Sequence, residues 1–230
     1  NYSLIMAQND INNKELFINI EGDNFHIRNL SAAQKKEHGW LIKIVSNWLK
    51  PFKKNINFIL EIGCGGGHQI NSLCNNLNSK GVGIDPSKLA IRDAKKQYSQ
   101  NIKFKTGTSE KINEESEYFD TVLLGDFLYL VDKKHIYHTV AETDRVLKPG
   151  GFLVLVDFDP NFKYICDYQH LNGITTYKSK SVDLFLASGH YSLVNKLSHS
   201  NLGKSFHFDF KERKAVYLLY KEPTPYISID

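Results

Sequence analysis

The stretch of sequence that decides the fold runs from residue 59 to residue 67 and reads ILEIGCGGG. It ends a short apolar run that begins at Phe58, and its glycines at positions 63, 65 and 67 lead into a helix-like pattern near His68. Glycine tolerates positive φ and lets the backbone come close to a ligand. Because three alternating glycines are more than a plain strand-to-helix turn requires, the stretch predicts a ligand-binding loop.

The next strand-like run, Gly81-Val82-Gly83-Ile84-Asp85, ends in an acid that lies 24 residues after Glu61. At the end of the second strand of an open α/β sheet, an acid can accept hydrogen bonds from the ribose hydroxyls of a nucleoside cofactor. The other role open to Asp85 is to cap the following helix, but Ser87 is able to cap it alone. We therefore expect a ribose contact at Asp85.

The spacing of the glycines distinguishes between two classes of cofactor. Dinucleotides are held by G-x-G-x-x-G, which places a pyrophosphate at a helix N-terminus, whereas this loop reads G-x-G-x-G. Glu61 lies two residues before the first glycine. An anion there would repel a pyrophosphate but attract the cationic methionine end of S-adenosylmethionine. The loop therefore favours S-adenosylmethionine, with an NAD-type oxidoreductase as the alternative.

Strand-like and helix-like segments alternate through the middle of the chain, which predicts an α/β fold with a parallel sheet and helices on both faces. The run Lys148-Pro149-Gly150-Gly151 is expected to form a turn before the fifth strand. Two late strand-like runs have no helix between them, so we expect an antiparallel pair at the sheet edge. The predicted strands are 58–62, 81–85, 102–105, 119–124, 152–158, 191–198 and 215–220, and the predicted helices are 68–78, 86–98 and 133–147.

The chain is expected to divide into two parts. Residues 1–50 would form an N-terminal cap segment and helix, in which residues 17–20 read as a short strand and an apolar face with i, i+3, i+4, i+7 spacing begins at Leu41. Residues 51–230 would form the main domain. An insertion at about 159–190 is rich in Tyr, Phe and His, and we expect it to bind the substrate.

Composition excludes several classes of protein. The net charge of +4 comes from lysines spread along the chain, without a block of five basic residues, so no nucleic-acid partner is expected. No run of about 18 apolar residues occurs, and the start of the sequence lacks a signal-peptide pattern, so no membrane partner is expected. The three cysteines form no Cys-x-x-Cys pair, which fits a reducing cytoplasm. The oligomeric state is left open.

Five pieces of the sequence, in this order, resemble the class I S-adenosylmethionine-dependent methyltransferases. The resemblance covers residues from about 31 to 158. It implies a Rossmann-like sheet of seven strands, mostly parallel, whose last strand is antiparallel, and this agrees with the independent interpretation of the tail. The matching pieces are Glu61–Gly67, Gly83–Asp85, Phe104–Glu110, Phe119–Val122 and Arg145–Gly151.

The same resemblance implies a role for individual residues, with S-adenosylmethionine as cofactor and S-adenosylhomocysteine as product. Asp85 would hold the ribose, and Pro86 would lie beside the adenine. The family usually has an acid where Thr108 stands, so here the adenine amine would be met by Thr108, Ser109 and backbone groups. The methionine part would be lined by Glu61, Gly63, Cys64, Gly65, Gly125 and Asp126.

The acceptor is expected to be a small polar molecule. After the fourth strand, residues 125–129 lack the prolines of the Asn/Asp-Pro-Pro-Tyr stretch found in amino-methylating DNA enzymes. The insertion and the pair His68-Gln69 are similar, over few residues, to bacterial methyltransferases of surface-polysaccharide and modified-sugar pathways. This similarity implies O-methylation of a sugar, nucleotide-linked or capsule-polysaccharide precursor. N-methylation of a small metabolite and a non-catalytic cofactor-binding protein are the alternatives.

An alcohol acceptor needs a base to remove its proton. His170 in the insertion is the first candidate, because the pKa of an unperturbed histidine is near about 6.5. Tyr129, which would face the substrate, and the acids Asp126 and Asp157 are rivals. Together with Asp159 these acids could also hold a metal, but the Asp-Asn pair of metal-assisted relatives is missing, and we expect no metal.

Overall fold

The computed structural model describes residues 13–34, 39–226 and 228, and for residues 31–34 it describes the backbone alone. These residues include nine strands, numbered here in chain order. The strands are β1 Phe58–Ile62, β2 Lys80–Asp85, β3 Ile102–Thr106, β4 Phe119–Gly125, β5 Leu147–Phe158, β6 Tyr164–Asp167, β7 Thr175–Lys178, β8 Tyr191–Ser200 and β9 Arg213–Lys221.

Seven of the strands form one sheet in the order β3-β2-β1-β4-β5-β9-β8. Strands β1 to β5 are mutually parallel, whereas β9 runs antiparallel to both of its neighbours, β5 and β8. This confirms the predicted α/β fold with seven mostly parallel strands and an antiparallel last strand. Because β9 runs backwards, its first residues lie beside the carboxyl ends of the parallel strands.

Helices cover both faces of the sheet. The helix predicted from the apolar spacing at Leu41 is present, and Val45 and Leu49 on it are fully buried. A π-helical turn, Phe17–Glu21, joins the first two helices, and 3-10 turns occupy Lys50–Asn55 and Leu128–Leu130. The helices are α1 Asn13–Leu16, α2 Gly22–Gln34, α3 Gly39–Leu49, α4 His68–Leu77, α5 Lys88–Tyr98, α6 Ile136–Val146 and α7 Asp183–Leu186.

The sheet separates two hydrophobic cores. Ile59 belongs to the core shared with α3, α4 and α5, and its neighbour Leu60 belongs to the core on the opposite face. Successive residues of a strand point to opposite faces, so a strand buried on both sides must be apolar throughout. Each such side chain contributes about 1.5–3 kcal/mol by leaving water. This is why β1 reads as an uninterrupted apolar run apart from Glu61.

Two local predictions were wrong or incomplete. Residues 17–20 form a π-helical turn and not a strand, because Phe17 packs against Tyr168 while Ile18 and Ile20 remain exposed. The turn predicted at residues 148–151 lies within β5. The pairing of β5 with β4 jumps there from Leu147 to Phe152, so the residues between them bulge out of the ladder.

The insertion and the N-terminal helices lie together over the carboxyl ends of the parallel strands. Within residues 159–190, β6 and β7 form an antiparallel hairpin that is followed by α7. Residues 13–28, which we call the strap, contact this hairpin and the loops after β2 and β4. The start of the predicted cap segment, residues 1–12, lies outside the described residues. No helix in the described part of the chain is long and apolar enough to cross a bilayer.

Candidate functional site

The three alternating glycines serve two different purposes. All have positive φ: +75° at Gly63, +49° at Gly65 and +79° at Gly67. A Cβ added to Gly63 would meet the ring of Phe127 at 2.9 Å, and one added to Gly67 would meet the ring of Phe104 at 2.7 Å. A Cβ at Gly65 would find no atom within 4 Å. The outer glycines are therefore required by packing, and the central glycine faces open space.

Asp85 joins the second strand to the glycine loop. Its Oδ2 accepts a hydrogen bond from the backbone N–H of Gly65 at 2.8 Å, and its Oδ1 accepts one from the N–H of Ser87 at 2.8 Å. Burial raises the pKa of Asp85, and these two N–H donors oppose that rise. Ser87 itself caps α5, because its hydroxyl accepts from the N–H of Ala90 at 2.9 Å. Each carboxylate oxygen keeps a further lone pair for a ligand hydroxyl.

Glu61 places a buried carboxylate at the start of α4. The side chain is 1% exposed, and its Oε2 accepts from the N–H of Ile70 at 3.0 Å. Its Oε1 would lie 3.5 Å from a Cβ added to Gly125, at the end of β4. Burial raises the pKa of Glu61 well above its usual value. A cation bound beside Oε1 would oppose this effect and favour the charged form.

Three residues predicted to bind the cofactor are buried or already engaged in contacts within the protein. Cys64 points into the core, and burial raises the pKa of its thiol, so its backbone is the part available to a ligand. The hydroxyl of Ser109 is buried and shares a hydrogen bond of 2.8 Å with Thr139. Thr108 forms a backbone bridge with Lys111. Ser109 therefore supports the loop after β3 from behind, and its predicted side-chain contact with the adenine is not favoured.

The strap lies against the end of β2 and the start of α5, where the cofactor is predicted to bind. Asp23 on α2 accepts hydrogen bonds from the Ser87 hydroxyl at 2.5 Å and from the Leu89 N–H at 3.2 Å, so it adds a second cap to α5. His26, also on α2, lies 3.1 Å from the carboxylate of Asp93 on α5. An acid at a helix N-terminus is stabilised by the exposed N–H groups and the helix dipole. These contacts hold α2 beside the end of β2.

The strap also contacts the insertion. The side-chain amide of Asn13 donates to the carbonyl oxygens of Leu130 at 3.0 Å and Thr175 at 2.7 Å, which ties the strap to β7. Glu21, fully buried, accepts a hydrogen bond from the Tyr168 hydroxyl at 2.9 Å and pairs with Arg28. Tyr168, a residue of the insertion that was predicted to bind the substrate, therefore uses its hydroxyl to join the insertion to the strap.

The predicted catalytic residues do not all come together. His170 is exposed at the turn of the β6–β7 hairpin, and its ring contacts Tyr168, 5.2 Å between centroids. Asp157 at the end of β5 is completely buried, and Tyr129 packs its ring edge-to-face against neighbouring Phe158 at 5.0 Å. No contact described for His170 reaches Asp157 or Tyr129.

Asp157 and Tyr129 have strongly shifted acidities. Burial and the charge of nearby Asp126 together raise the pKa of Asp157 to about 7, against the opposing effects of the Phe158 N–H and Lys214. Burial also raises the pKa of the Tyr129 hydroxyl, so this phenol stays protonated and is suited to donate a hydrogen bond. A carboxyl with a pKa near neutral can exchange a proton at ordinary pH.

Two residues at this end were missed in the sequence. Lys214, at the start of β9, pairs with the carboxylate of Asp126, and His199, near the end of β8, lies opposite Lys214 in the ladder. Asp126 itself has φ +61°, an uncommon conformation for a residue other than glycine. Lys214 and His199 were hard to find from the sequence, because neither residue directly follows a parallel strand, where the sequence motifs of this fold are found.

No group of three or more His, Cys, Asp or Glu residues within the described ranges is arranged to hold a metal ion. Asp159, one of three acids considered for such a role, accepts hydrogen bonds from Tyr217 at 2.7 Å and Lys196 at 2.6 Å. Its two oxygens are thus engaged with side chains of β8 and β9.

The fold and the site define a class of protein. An open α/β sheet, whose first strand ends in a glycine loop beside a buried acid and whose second ends in an acid bonded to that loop, is a nucleoside-cofactor domain of the Rossmann-like type. Residues 59–151 also match the family model described as a methyltransferase domain. Over these residues the chain is therefore similar to methyltransferase domains.

Two curated relatives are similar to this domain. The ubiquinone biosynthesis O-methyltransferase of Bartonella tribocorum is 31% identical over 108 residues, which cover 46% of this chain and 42% of the relative. The phthiotriol/phenolphthiotriol dimycocerosates methyltransferase 1 of Mycobacterium ulcerans is 30% identical over 109 residues, which cover 45% of this chain and 38% of the relative. The matched region thus spans less than half the length of either relative.

A solved structure shares the fold over most of the chain. The 1,6-didemethyltoxoflavin-N1-methyltransferase of Burkholderia thailandensis, solved with 1,6-didemethyltoxoflavin and S-adenosylhomocysteine bound, superposes with a TM-score of 0.63. The match covers 86% of this chain and 87% of that chain, at 12% sequence identity. At this identity the likeness establishes the fold.

Proposed function

We propose that this protein is an S-adenosylmethionine-dependent methyltransferase that transfers a methyl group to the hydroxyl of a small polar acceptor. The observation that carries the proposal is a pair of acids beside the glycine loop. One precedes the loop in sequence, and the other is bonded to its central glycine. Glu61 is buried beside Gly125, and Asp85 is bonded to Gly65, the glycine that faces open space. One acid suits a cationic methionine end and the other suits a ribose.

The residues fit this cofactor better than a dinucleotide. A pyrophosphate needs N–H donors and cations. The two carboxylates beside this loop, Glu61 and Asp85, would instead repel its negative charge. The open space beside Gly65 and the small residue at Gly125 leave room for a ligand backbone between the two acids. Pro86 and Thr108, both half-buried, lie at the ends of β2 and β3, where we propose that the adenine binds.

The chain's contribution to the reaction would be mainly alignment. When bound, S-adenosylmethionine supplies a methyl group on a cationic sulfur whose departure leaves a neutral thioether. Gly63, Gly65 and Asp85 would fix the donor in position, and the end of β4 would place the acceptor in line with the methyl carbon. Holding two reactants in a near-attack geometry can supply about 7–11 kcal/mol of the barrier. The strap would exclude water from both ligands.

The methylated atom of the substrate would be a hydroxyl oxygen. The relative from Bartonella tribocorum is named as an O-methyltransferase, which supports oxygen as the methylated atom. Tyr129, held protonated by burial, would donate a hydrogen bond to the acceptor. A sugar or nucleotide-linked sugar, as expected from the sequence, presents such hydroxyls. N-methylation is the alternative, since the structural neighbour methylates nitrogen.

The test of the cofactor is calorimetry with S-adenosylhomocysteine, methylthioadenosine and NADH. Methylthioadenosine keeps the nucleoside but lacks the amino-acid end. We expect the first two to bind and NADH not to bind. Glu61→Gln should weaken binding of S-adenosylhomocysteine at least tenfold, because it removes the charge that faces the ammonium group. It should leave methylthioadenosine within twofold. Binding of NADH alone, or an equal loss for both nucleosides, would contradict the proposal.

A further inference from the structure

Three buried polar atoms without a hydrogen-bond partner lie together at the carboxyl ends of β4 and β5. Six such side-chain atoms occur among the described residues, and half of them belong to this one place: Asp126 Oδ1, Asp157 Oδ2 and His199 Nε2. The charges of Asp126 and Lys214 act on both Asp157 and His199, so the four groups lie within electrostatic reach of one another at this end of the sheet. Buried polar atoms that lack partners are costly unless a ligand or water satisfies them.

The ladder places His199 on the cofactor face of the sheet. Phe158 on β5 pairs with Lys214 on β9, which in turn pairs with His199 on β8, so the three side chains form a row on one face. On β5 the residues two and four positions before Phe158 belong to the core shared with α4. Glu61 lies on that same face, because Ile59 belongs to the same core.

The imidazole of His199 is held in one tautomer. Its Nδ1 lies 3.3 Å from the carbonyl oxygen of Ser200, which can only accept a hydrogen bond, so Nδ1 carries the proton and Nε2 carries a lone pair. The side chain is 5% exposed, and Trp40 on α3 packs against it edge-to-face at 5.5 Å between centroids. The arrangement presents a fixed, water-shielded proton acceptor.

The charged groups around His199 favour its neutral form. Burial lowers the pKa of His199, Lys214 lowers it further, and the carbonyl of Ser200 and the carboxylate of Asp126 oppose this. Lys204, on the loop after β8, lies over the Trp40 ring at 5.7 Å and is a second cation in this neighbourhood. A neutral imidazole is the form that can accept a proton.

We propose that His199 is the catalytic base of the reaction and that Asp126, Lys214 and His199 bind the hydroxyl of the acceptor. This inference rests on the proposed function. The acceptor oxygen forms a bond to the methyl carbon, the carbon–sulfur bond breaks with its electron pair going to sulfur, and the hydroxyl proton passes to His199 Nε2. The imidazolium that results is stabilised by the carboxylate of Asp126 and then releases its proton to solvent.

Two of the candidate bases named from the sequence, His170 and Asp157, are less suited to this step. His170 is exposed on a hairpin turn, and its described ring contact is with Tyr168. Asp157 is buried, but it precedes Phe158 by one position, so its side chain points to the opposite face of the sheet. Its Oδ1 accepts from the Phe158 N–H at 2.6 Å. His199 alone combines a free lone pair with the face that carries Glu61.

The first test needs no acceptor. Nitrogen-15 spectra of the imidazoles, assigned with His199→Gln, should show His199 protonated at Nδ1 and titrating below the usual histidine range. Asp126→Asn should lower that pKa, and Lys214→Met should raise it, because each removes one of the charges that act on the ring. A proton on Nε2, or a pKa unaffected by both variants, would overturn the proposal.

The second test measures turnover. Methyl-labelled S-adenosylmethionine is incubated with a panel of phenols, sugars and primary amines at several pH values. We expect His199→Gln to reduce transfer to hydroxyls by about 10²–10⁴-fold, to remove the acidic limb of the kcat/KM profile, and to leave affinity for S-adenosylhomocysteine within twofold. His138→Gln, an exposed histidine on α6, is the matched control and should behave as wild type.

The outcomes separate the two proposals. Normal turnover in His199→Gln, or a comparable loss in His170→Gln instead, would overturn the assignment of the base while leaving the cofactor in place. Failure of the wild-type protein to bind S-adenosylhomocysteine would overturn the proposed function itself. If no compound on the panel is methylated, the tautomer and pKa of His199 in the nitrogen-15 spectra decide the inference.

Discussion

The backbone N–H of Gly65 donates a hydrogen bond to Asp85 Oδ2 across 2.8 Å, which locks the glycine loop after β1 to the acid at the end of β2. The two residues are 20 positions apart in sequence. A carboxylate that accepts from backbone N–H groups is held in one orientation and stays available to further donors. The position of the Asp85 carboxylate and the conformation of the glycine loop therefore depend on each other.

Asp85→Ala should weaken the binding of S-adenosylhomocysteine at least tenfold. The substitution removes the proposed ribose bonds and releases the loop, and a hydrogen bond to a charged group contributes about 1.5–3 kcal/mol, where 1.4 kcal/mol corresponds to about tenfold in affinity. Calorimetry measures the change. Glu115→Ala, at an exposed acid, should bind as wild type does. An unchanged dissociation constant for Asp85→Ala would remove the ribose assignment.

Gly65→Val should abolish cofactor binding in a folded protein. The valine side chain would enter the open space that faces Gly65, at a φ of +49° that costs on the order of 1–3 kcal/mol for a residue other than glycine. Gly189→Val is the matched control, because Gly189 also has positive φ, +73°, and open space, but lies between α7 and β8. Equal binding by both variants would show that Gly65 does not face the ligand.

Tyr168→Phe should lower stability more than cofactor affinity. The hydroxyl of Tyr168 donates to Glu21, which is fully buried, so its removal leaves a buried carboxylate with one donor fewer. A cost of about 1.5–3 kcal/mol is expected for a bond to a charged group, which lowers the thermal midpoint by several degrees. Tyr137→Phe, at a tyrosine that is 71% exposed, should melt as wild type does. An unchanged midpoint for Tyr168→Phe would show that this bond does not hold the strap.

Asp157 should make the protein less stable as pH rises from about 4 to about 7. In the unfolded chain its carboxyl loses its proton near the ordinary pKa of 3.8, but in the folded protein burial raises that pKa to about 7. Between these values the folded state holds one proton more, so the free energy of unfolding falls with increasing pH. One pKa unit corresponds to about 1.4 kcal/mol, which makes the full effect a few kcal/mol.

Urea denaturation at pH 5 and pH 8 tests this contribution. Wild type should lose more stability between the two pH values than Asp157→Asn, whose amide does not titrate. Glu115→Gln, at an exposed acid, should follow wild type. If Asp157→Asn loses as much stability as wild type, then Asp157 is ionised in the folded protein at neutral pH.

The positions of the strands could be predicted because their signals are local. Strands β1, β2 and β4 are mostly apolar runs of five to seven residues, as burial on both faces requires, whereas β3 at the sheet edge alternates apolar residues with lysines. The loop from residue 59 to residue 67 gave the position of the first strand and the helix after it. The errors lay where local patterns are ambiguous. Residues 17–20 are mostly apolar, as in a short strand, but they form a π-helical turn in which Phe17 contacts Tyr168.

The sequence could place Glu61, Gly65 and Asp85 beside one another, because they lie at or directly after the ends of neighbouring parallel strands. Their contact with a cofactor stays a prediction. The contacts of Tyr168 and Ser109 could not be predicted, because their partners, 147 and 30 residues away, cannot be found from sequence spacing. His199 and Lys214 were missed for a geometric reason: one precedes the end of an edge strand and the other opens a strand that runs in reverse.

The strap carries Glu21 and Asp23 two positions apart, one bonded to the insertion, beside the proposed acceptor position, and the other to the start of α5, beside the proposed cofactor position. Both proposed ligand positions are thus bordered by a single continuous piece of backbone. Any opening that admits a donor also uncovers the place of the acceptor, and any ligand that favours closure on one side favours it on the other. Linkage of this kind is reciprocal: occupancy of either half should slow the escape of whatever occupies the second.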